Sequence, residues 1–505
     1  MKVKHYLFFA AIILGLSILF EYHLIIDTAP QSCHIWRQSD CVSFATNYYE
    51  NGMHFNEPRV YNELTSNGYC VGEFPIIYFT VAEIWNFTGQ HFWVFRSLQL
   101  LIFFGGLFSL FSMTFRLTAN IFLAYFLPIL LFSSPFVMLY ANSFLPDVPS
   151  LSFVLIGLNL LTKYKAERKI FLLFPIAICL MLAVLLKANA MIAVAAFFIM
   201  LLLENIGIKF NEEKKYFQKF IPVSIVFVSV FVAAFIWYRW AINYNKKFDV
   251  TFLGTGAWPG WPLWEATPEN IKGTLSALKN YVPEFWSLST WIGILLCFVL
   301  VVKDFFKMRF FSWLSLGILA GSALLYVDFF VGFRDNNYYF INLMILPLTI
   351  LLATFIHYPD FFTKKTVQAF LIVLLVVNIF HAKSMLRIYY HGGWKHDRFN
   401  EAFYEKDFRN FIDQNIEKDA KVASIPDVTP NGTLLLLQRH GVSNYGFHDW
   451  KVNEKQLSQM IDWGYKYMVV SGNEMLQDST VIKYCKIPKA QFNDIRIFEL
   501  KKILN

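Results

Sequence analysis

Within the seven residues His34-Ile35-Trp36-Arg37-Gln38-Ser39-Asp40 the chain places an acid, a guanidinium, an imidazole and an indole just after an apolar run. A carboxylate in such company can take a proton from a hydroxyl, and the arginine can hold a phosphate or neutralise the acid. Gly72-Glu73-Phe74-Pro75 adds a second acid, and Leu145-Pro146-Asp147-Val148-Pro149 sets a third between two prolines. Lys187 stands alone between two apolar runs, and Arg334-Asp335-Asn336-Asn337-Tyr338-Tyr339 forms a compact polar turn. Trp258 and Trp261 lie among glycines and prolines, where their rings could stack on a sugar or an isoprenoid chain.

Each group also has a plainer reading. Arg37 and Asp40 can form an ordinary loop ion pair, and Asp147 can cap a helix whose first turn tolerates Pro149. Lys187 can snorkel to a membrane interface, Arg334 can pair with Asp335, and the tryptophans can belong to an interfacial aromatic belt.

The elements that must position these groups are membrane spans. Of 505 residues 56% are hydrophobic and only 16% charged, and the mean hydropathy is +0.44, too apolar for a water-soluble core. Apolar runs able to span, or nearly so, lie at 6–26, 96–115, 119–139, 148–162, 169–186, 188–204, 219–241, 288–302, 310–330, 338–356 and 366–382, which predicts eleven spans. The first follows Lys2 and Lys4 without a small-residue cleavage pattern, so it reads as a retained anchor with its N-terminus inside.

Threading from that end places Lys2, Lys4, Arg116, Lys163, Lys165, Arg168, Lys169, Lys209, Lys214, Lys215, Lys219, Lys303, Lys307, Arg309, Lys364 and Lys365 inside. Only Lys187 and Arg334 fall in short outer loops, a strong positive-inside bias. The net charge of +8 is thereby explained by orientation, and nucleic acid is not an expected partner.

Three outer regions exceed simple connectors: 27–95, 242–287 and 383–505. The expected organisation is a transmembrane domain over 1–382 and an extracytoplasmic α/β domain over 383–505. In the tail, helices are expected near Glu405–Ile416 and Glu454–Trp463, with strands at Lys421–Ile425 and Tyr467–Ser471. Phe74–Phe87 is expected to lie along the outer surface. Cys33, Cys41, Cys70 and Cys485 fall outside, where a disulfide among the three loop cysteines could persist, while Cys179 and Cys297 lie in spans.

At these residues the chain resembles the GT-C glycosyltransferases, specifically the protein-mannosyltransferase-like and aminoarabinose-transferase-like branch that uses lipid-phosphate-linked sugars. Asp40 matches that family's carboxylate in the first outer loop, Glu73 its acid-then-proline element, and Asp147 its second-turn acid; Lys187 and the Tyr338-Tyr339 pair extend the match. The resemblance covers roughly 6–360. Phe74 stands where the aminoarabinose branch has a phosphate-reaching lysine, and Cys41 stands where many relatives have a second acid.

The resemblance implies a bacterial inner-membrane enzyme that moves a sugar from a polyprenyl-phosphate donor to a glycan, lipid or protein acceptor outside. In that reading Asp40 is the base, while Arg37, Lys187 and Arg334 are candidates for the donor phosphate. Glu73 and Asp147 shape the site or hold a divalent cation, the one cofactor left open, and Trp36, Tyr338, Tyr339, Trp258 and Trp261 line it. A transporter of lipid-linked or small solutes and a lipid-linked glycan ligase or polymerase are the alternatives; nearly charge-free spans without a visible inverted repeat argue against transport. Reporters fused after Asn67, Lys272 and Asn505 are all expected outside. A cytoplasmic signal at Asn505 would overturn the threading.

Overall fold

The computed structural model describes residues 2–63, 66–210, 215–217, 219–250, 261–391, 399–446 and 452–501. Contacts divide the chain into two units. One joins Met1–Ile26, Arg96–Tyr238 and Ala257–Ile388; the other joins Asp27–Phe95, Arg239–Gly256 and Tyr389–Asn505. The first long outer loop thus groups with the tail, where the sequence suggested a single cut at 382/383.

The first unit is helical. Among the described residues seven helices are long and apolar enough to cross a bilayer: Phe92–Thr118, Ala188–Asn205, Phe220–Lys247, Leu288–Phe305, Phe310–Asp328, Asn337–His357 and Lys365–Tyr390. Ile121–Phe132 and Pro135–Ala141 make an eighth if counted as one span bent by 72°. The bend falls at Ser133-Ser134-Pro135, where proline lacks an amide hydrogen and Ser134 caps the new helix.

Val3–Leu19 and Ile170–Leu186 are shorter apolar helices, and Asp147–Glu167 is a 21-residue helix opened by an acid. Every one of the eleven apolar runs falls on helix, yet the expected count of eleven spans is not met by length and composition. Hydropathy along the sequence does not distinguish a full span from a short, bent or polar-ended helix.

These helices differ in what they face. In Asn337–His357 72% of the apolar window is buried, against 22% in both Leu288–Phe305 and Lys365–Tyr390. Leu296, Phe370 and Phe380 are exposed, as side chains meeting lipid should be. Gly157 lets the Asp147–Glu167 and Ile170–Leu186 helices approach closely, since a Cβ there would meet Leu180 Cδ2 at 2.6 Å.

The second unit contains a five-stranded sheet of β1 (Lys421–Ile425), β2 (Gly441–Ser443), β3 (Tyr465–Ser471), β4 (Ala490–Phe492) and β5 (Ile495–Glu499), in the order β2-β1-β3-β5-β4. β1 pairs parallel with β2 and β3, while β5 runs antiparallel to β3 and β4. Ala423, Ile425, Met468, Val470 and Phe498 pack with Leu457, Met460 and Val481 from the helices Glu454–Asp462 and Ser479–Tyr484. The two strands and the two helices expected in the tail are present; the first helix is shorter, Phe408–Asn415.

The outer edge of β2 is covered by the loop segment 61–63. Gly441 N donates to Tyr61 O at 3.0 Å and Glu63 N to Gly441 O at 2.8 Å, across a parallel bridge between Asn62 and Gly441. A bare edge would offer unpaired amides, so this contact closes the sheet as well as fixing the loop. Gly441 is required at the join, because a Cβ would meet Val422 O at 1.8 Å. Lys421 Nζ adds an ion pair to Glu63 at 2.8 Å.

Candidate active site

Within this second unit, the helix Ile35–Glu50 presents Arg37 and Asp40 three residues apart on one face. Almost every side chain of that helix is buried, so its polar groups need protein partners. Gln38 Nε2 donates to the carbonyls of Gln31 and Cys33, both at 2.9 Å, and Ser43 Oγ accepts from Tyr61 N at 2.8 Å. Cys70 to Glu73 is fixed from another side, where Asn245 bonds both N–H and C=O of Val71 at 2.8 and 2.7 Å.

Arg37 sits between two carboxylates. Its Nη2 donates to Glu73 Oε1, and its Nη1 lies 3.6 Å from Asp40 Oδ2. Glu73 Oε2 accepts from Tyr78 Oη at 3.3 Å, and Tyr78 also contacts Cys41 Sγ at 3.2 Å. One guanidinium therefore supplies positive charge to both acids. Among the described residues no group of three or more His, Cys, Asp or Glu side chains could hold a metal ion.

Asp40 is fully buried. Its Oδ1 accepts a 2.7 Å hydrogen bond from Asn431 Nδ2, and its Oδ2 accepts none among the described residues. Burial pushes its pKa up from the ordinary 3.8 to about 6, with the Glu73 charge adding to the rise and Arg37 and Asn431 opposing it. Such a group is mostly ionised at neutral pH, yet holds a proton more strongly than an exposed aspartate.

Asp147, Lys187 and the Tyr338-Tyr339 pair come together in the helical unit. Lys187 Nζ lies 3.3 Å from Asp147 Oδ2 and over the rings of Tyr338 and Tyr339, 5.1 and 5.7 Å from their centroids. Two expectations change. Pro146 occupies the N-cap and Asp147 is the first helical residue, so the acid is not the cap; it still suits the positive end of the helix. Lys187 is a buried ion-pair partner at the break between two helices, where the plainer reading had it snorkelling.

Beside this pair runs a network of asparagine amides and hydroxyls that reaches the Glu284 carboxylate. Asn342 Nδ2 donates to Asn189 Oδ1 at 2.8 Å, Asn189 Nδ2 to Tyr339 O at 2.8 Å, and Ser150 Oγ to Asn342 Oδ1 at 3.2 Å. Tyr140 Oη donates to Asn337 Oδ1 at 2.6 Å, and Asn337 Nδ2 to Glu284 Oε2 at 3.0 Å.

The remaining candidates are more scattered. Arg334 forms the ion pair its plainer reading expected, with Asp335 at 2.8 Å, and also bonds Asn270 Oδ1 at 3.0 Å. Trp36 is half-buried and Trp261 exposed, while Trp258 lies outside the described residues. Phe74 packs on Phe55 with ring centroids 5.5 Å apart. Cys41 and Cys70 are thiols, so no disulfide joins two of the three loop cysteines.

Asn431, Tyr78, Asn62 and Asn245 escaped the sequence reading. Asp427-Val428-Thr429-Pro430-Asn431-Gly432 carries only turn chemistry, and nothing in it points to Asp40, 391 residues away. Tyr78 had a weak signal, five residues after Glu73 on a predicted surface helix.

No family model and no curated protein matches the sequence. Among solved structures, ArnT from Cupriavidus metallidurans in the apo state aligns over 98% of this chain and 97% of its own, with a TM-score of 0.59 and 10% identity. The same protein bound to undecaprenyl phosphate aligns over 99% and 98%, with a TM-score of 0.56 and 11% identity. The arabinofuranosyltransferase AftD from Mycobacteria aligns over 98% of this chain and 40% of its own, with a TM-score of 0.54 and 13% identity. The chain thus shares the polytopic fold of ArnT and AftD, as the resemblance implied.

The Lys187–Asp147 pair has a measurable consequence. Lys187→Met removes the cation 3.3 Å from a buried carboxylate and is expected to destabilise the protein by about 3–5 kcal/mol. Adding Asp147→Asn should restore more than half of that, read as the thermal midpoint in detergent. Unchanged stability in the single variant, together with weakened donor binding, would instead make Lys187 a phosphate ligand.

Proposed function

We propose that this GT-C-fold membrane protein is a glycosyltransferase that takes a sugar from a polyprenyl-phosphate donor, with Asp40 as general base. The observation that carries the proposal is the state of Asp40: buried, held through one oxygen by Asn431 and facing Arg37 with the other, in surroundings whose burial pushes its pKa up. The ArnT neighbour bound to undecaprenyl phosphate supports the donor class. The basic-residue bias supports an orientation with the reaction on the outer side, which in a bacterial inner membrane is the periplasmic side.

In the reaction, the acceptor hydroxyl oxygen attacks the anomeric carbon while the bond from that carbon to the phosphate oxygen breaks. The hydroxyl proton passes to Asp40, and the bonding pair leaves with polyprenyl phosphate. Phosphate is already a good leaving group, so positive charge suffices on that side. Arg37 is the cation assigned to it, released from Asp40 as that acid is protonated. Glu73 orients Arg37 through its hydrogen bond, and Lys187 with Asp147 forms a second charged pair beside Tyr338 and Tyr339.

A second reading has its own observation, the complete burial of Asp40. If Arg37, Asp40 and Glu73 form only a structural ion-pair cluster, removing one charge should cost stability above all. Asp40→Asn separates the two readings, because it keeps the shape and removes the proton acceptor. The base role predicts a loss of about 10²–10⁴-fold in transfer with the thermal midpoint nearly unchanged. Near wild-type transfer, or a protein that no longer folds, sinks the base assignment.

A further inference from the structure

We infer that Asn431, supplied by the tail, is a positioning residue for the Asp40 carboxylate, so that the tail completes the catalytic unit. The inference rests on the reading of Asp40 as base.

Asn431 immediately precedes the helix Gly432–Leu437, a position where asparagine normally caps the first turn, yet its side chain makes no cap bond. Asp427 does that work instead. One of its oxygens accepts from Thr433 N and Oγ1 and the other from Thr429 N and Oγ1, at 2.6 to 2.8 Å. The amide of Asn431 is thereby free to span two other groups. Nδ2 donates to Asp40 Oδ1 at 2.7 Å, while Oδ1 accepts from Asn62 N at 2.9 Å.

Asn62 is itself fixed, since its Nδ2 donates to Pro430 O at 2.7 Å and its neighbours pair with the edge of β2. Asn431 is fully buried. Its position is therefore set by the sheet, the 61–63 segment and the Asp427 cap together, and it holds Asp40 to one orientation. Because that amide can only donate to Asp40, it favours the ionised acid, which is the form a base must have.

The charged and titratable groups facing Asp40 are Arg37 and Cys41 on its own helix and Glu73 and Cys70 from the loop. Only Arg37 among them is a cation, and Cys41 and Cys70 are pushed up by burial and stay neutral at ordinary pH. Replacing the neutral donor Asn431 should therefore act on Asp40 directly.

Asn431→Asp keeps the acceptor for Asn62 N and replaces the donor by a like charge, whereas Asn431→Leu removes both contacts. The titration of Asp40 can be read in the full-length protein by infrared difference spectroscopy, taking Asp40→Asn in the same background as reference. The carboxyl band should titrate at least about one pH unit higher in Asn431→Asp than in the wild type, and less far upward in Asn431→Leu. An unmoved midpoint in both, or loss of the folded protein in both, makes Asn431 a scaffold residue and overturns the inference. The readout needs no sugar donor, so it stands apart from the transfer assay: an inactive Asp40→Asn with an unmoved midpoint defeats this inference alone, and an active Asp40→Asn defeats the base reading.

Discussion

A charge taken out of water must find a countercharge or hydrogen bonds inside the protein, and in the loop-and-tail unit Arg37 is the group that answers this demand. It lies between Asp40 and Glu73, and each acid has a further partner, Asn431 for the one and Tyr78 for the other. With both acids ionised, one cation faces two anions. Burial is the main reason Asp40 keeps its proton to a higher pH than an exposed aspartate, and the Glu73 charge adds to it while Arg37 opposes it.

The backbone around the cluster serves that constraint. The helix bearing Asp40 is joined to the 61–63 segment through Ser43, and that segment extends the tail's sheet at β2. Val71, two residues before Glu73, is clamped by Asn245 from a third stretch of chain. Three distant parts of the sequence therefore form one unit, and changes at Gly441 or Asn62 bear on Asp40 without touching it. In the helical unit the corresponding device is the Lys187–Asp147 pair beside two tyrosine rings and a web of asparagines.

Much of this was legible in the sequence because hydropathy and motif order are local signals. The apolar runs fall on helices, Arg37 and Asp40 form the ion pair that their plainer reading expected, and Lys421–Ile425 is a strand. Long-range partners were not legible. Asn431 sits in a turn that looks like any other, and the pairing of Lys187 with Asp147 joins two residues that were read separately. Among the described residues seven helices are long and apolar enough to span, against eleven apolar runs, because a run's hydropathy does not show that its helix is short, bent at Pro135 or opened by Asp147. The assignment of Asp147 as a cap failed by one residue, because Pro146 took that position.

Whether a sugar on polyprenyl phosphate is the substrate is decided by following that lipid. Purified protein in detergent is incubated with a panel of undecaprenyl-phosphate-linked sugars and a cell-envelope lipid and glycan extract, and undecaprenyl phosphate is quantified by mass spectrometry. A glycosyltransferase of this class releases undecaprenyl phosphate from at least one donor, in step with sugar appearing on an acceptor. Donors that all remain intact, or a lipid-linked sugar merely moved across a reconstituted membrane unchanged, would contradict it.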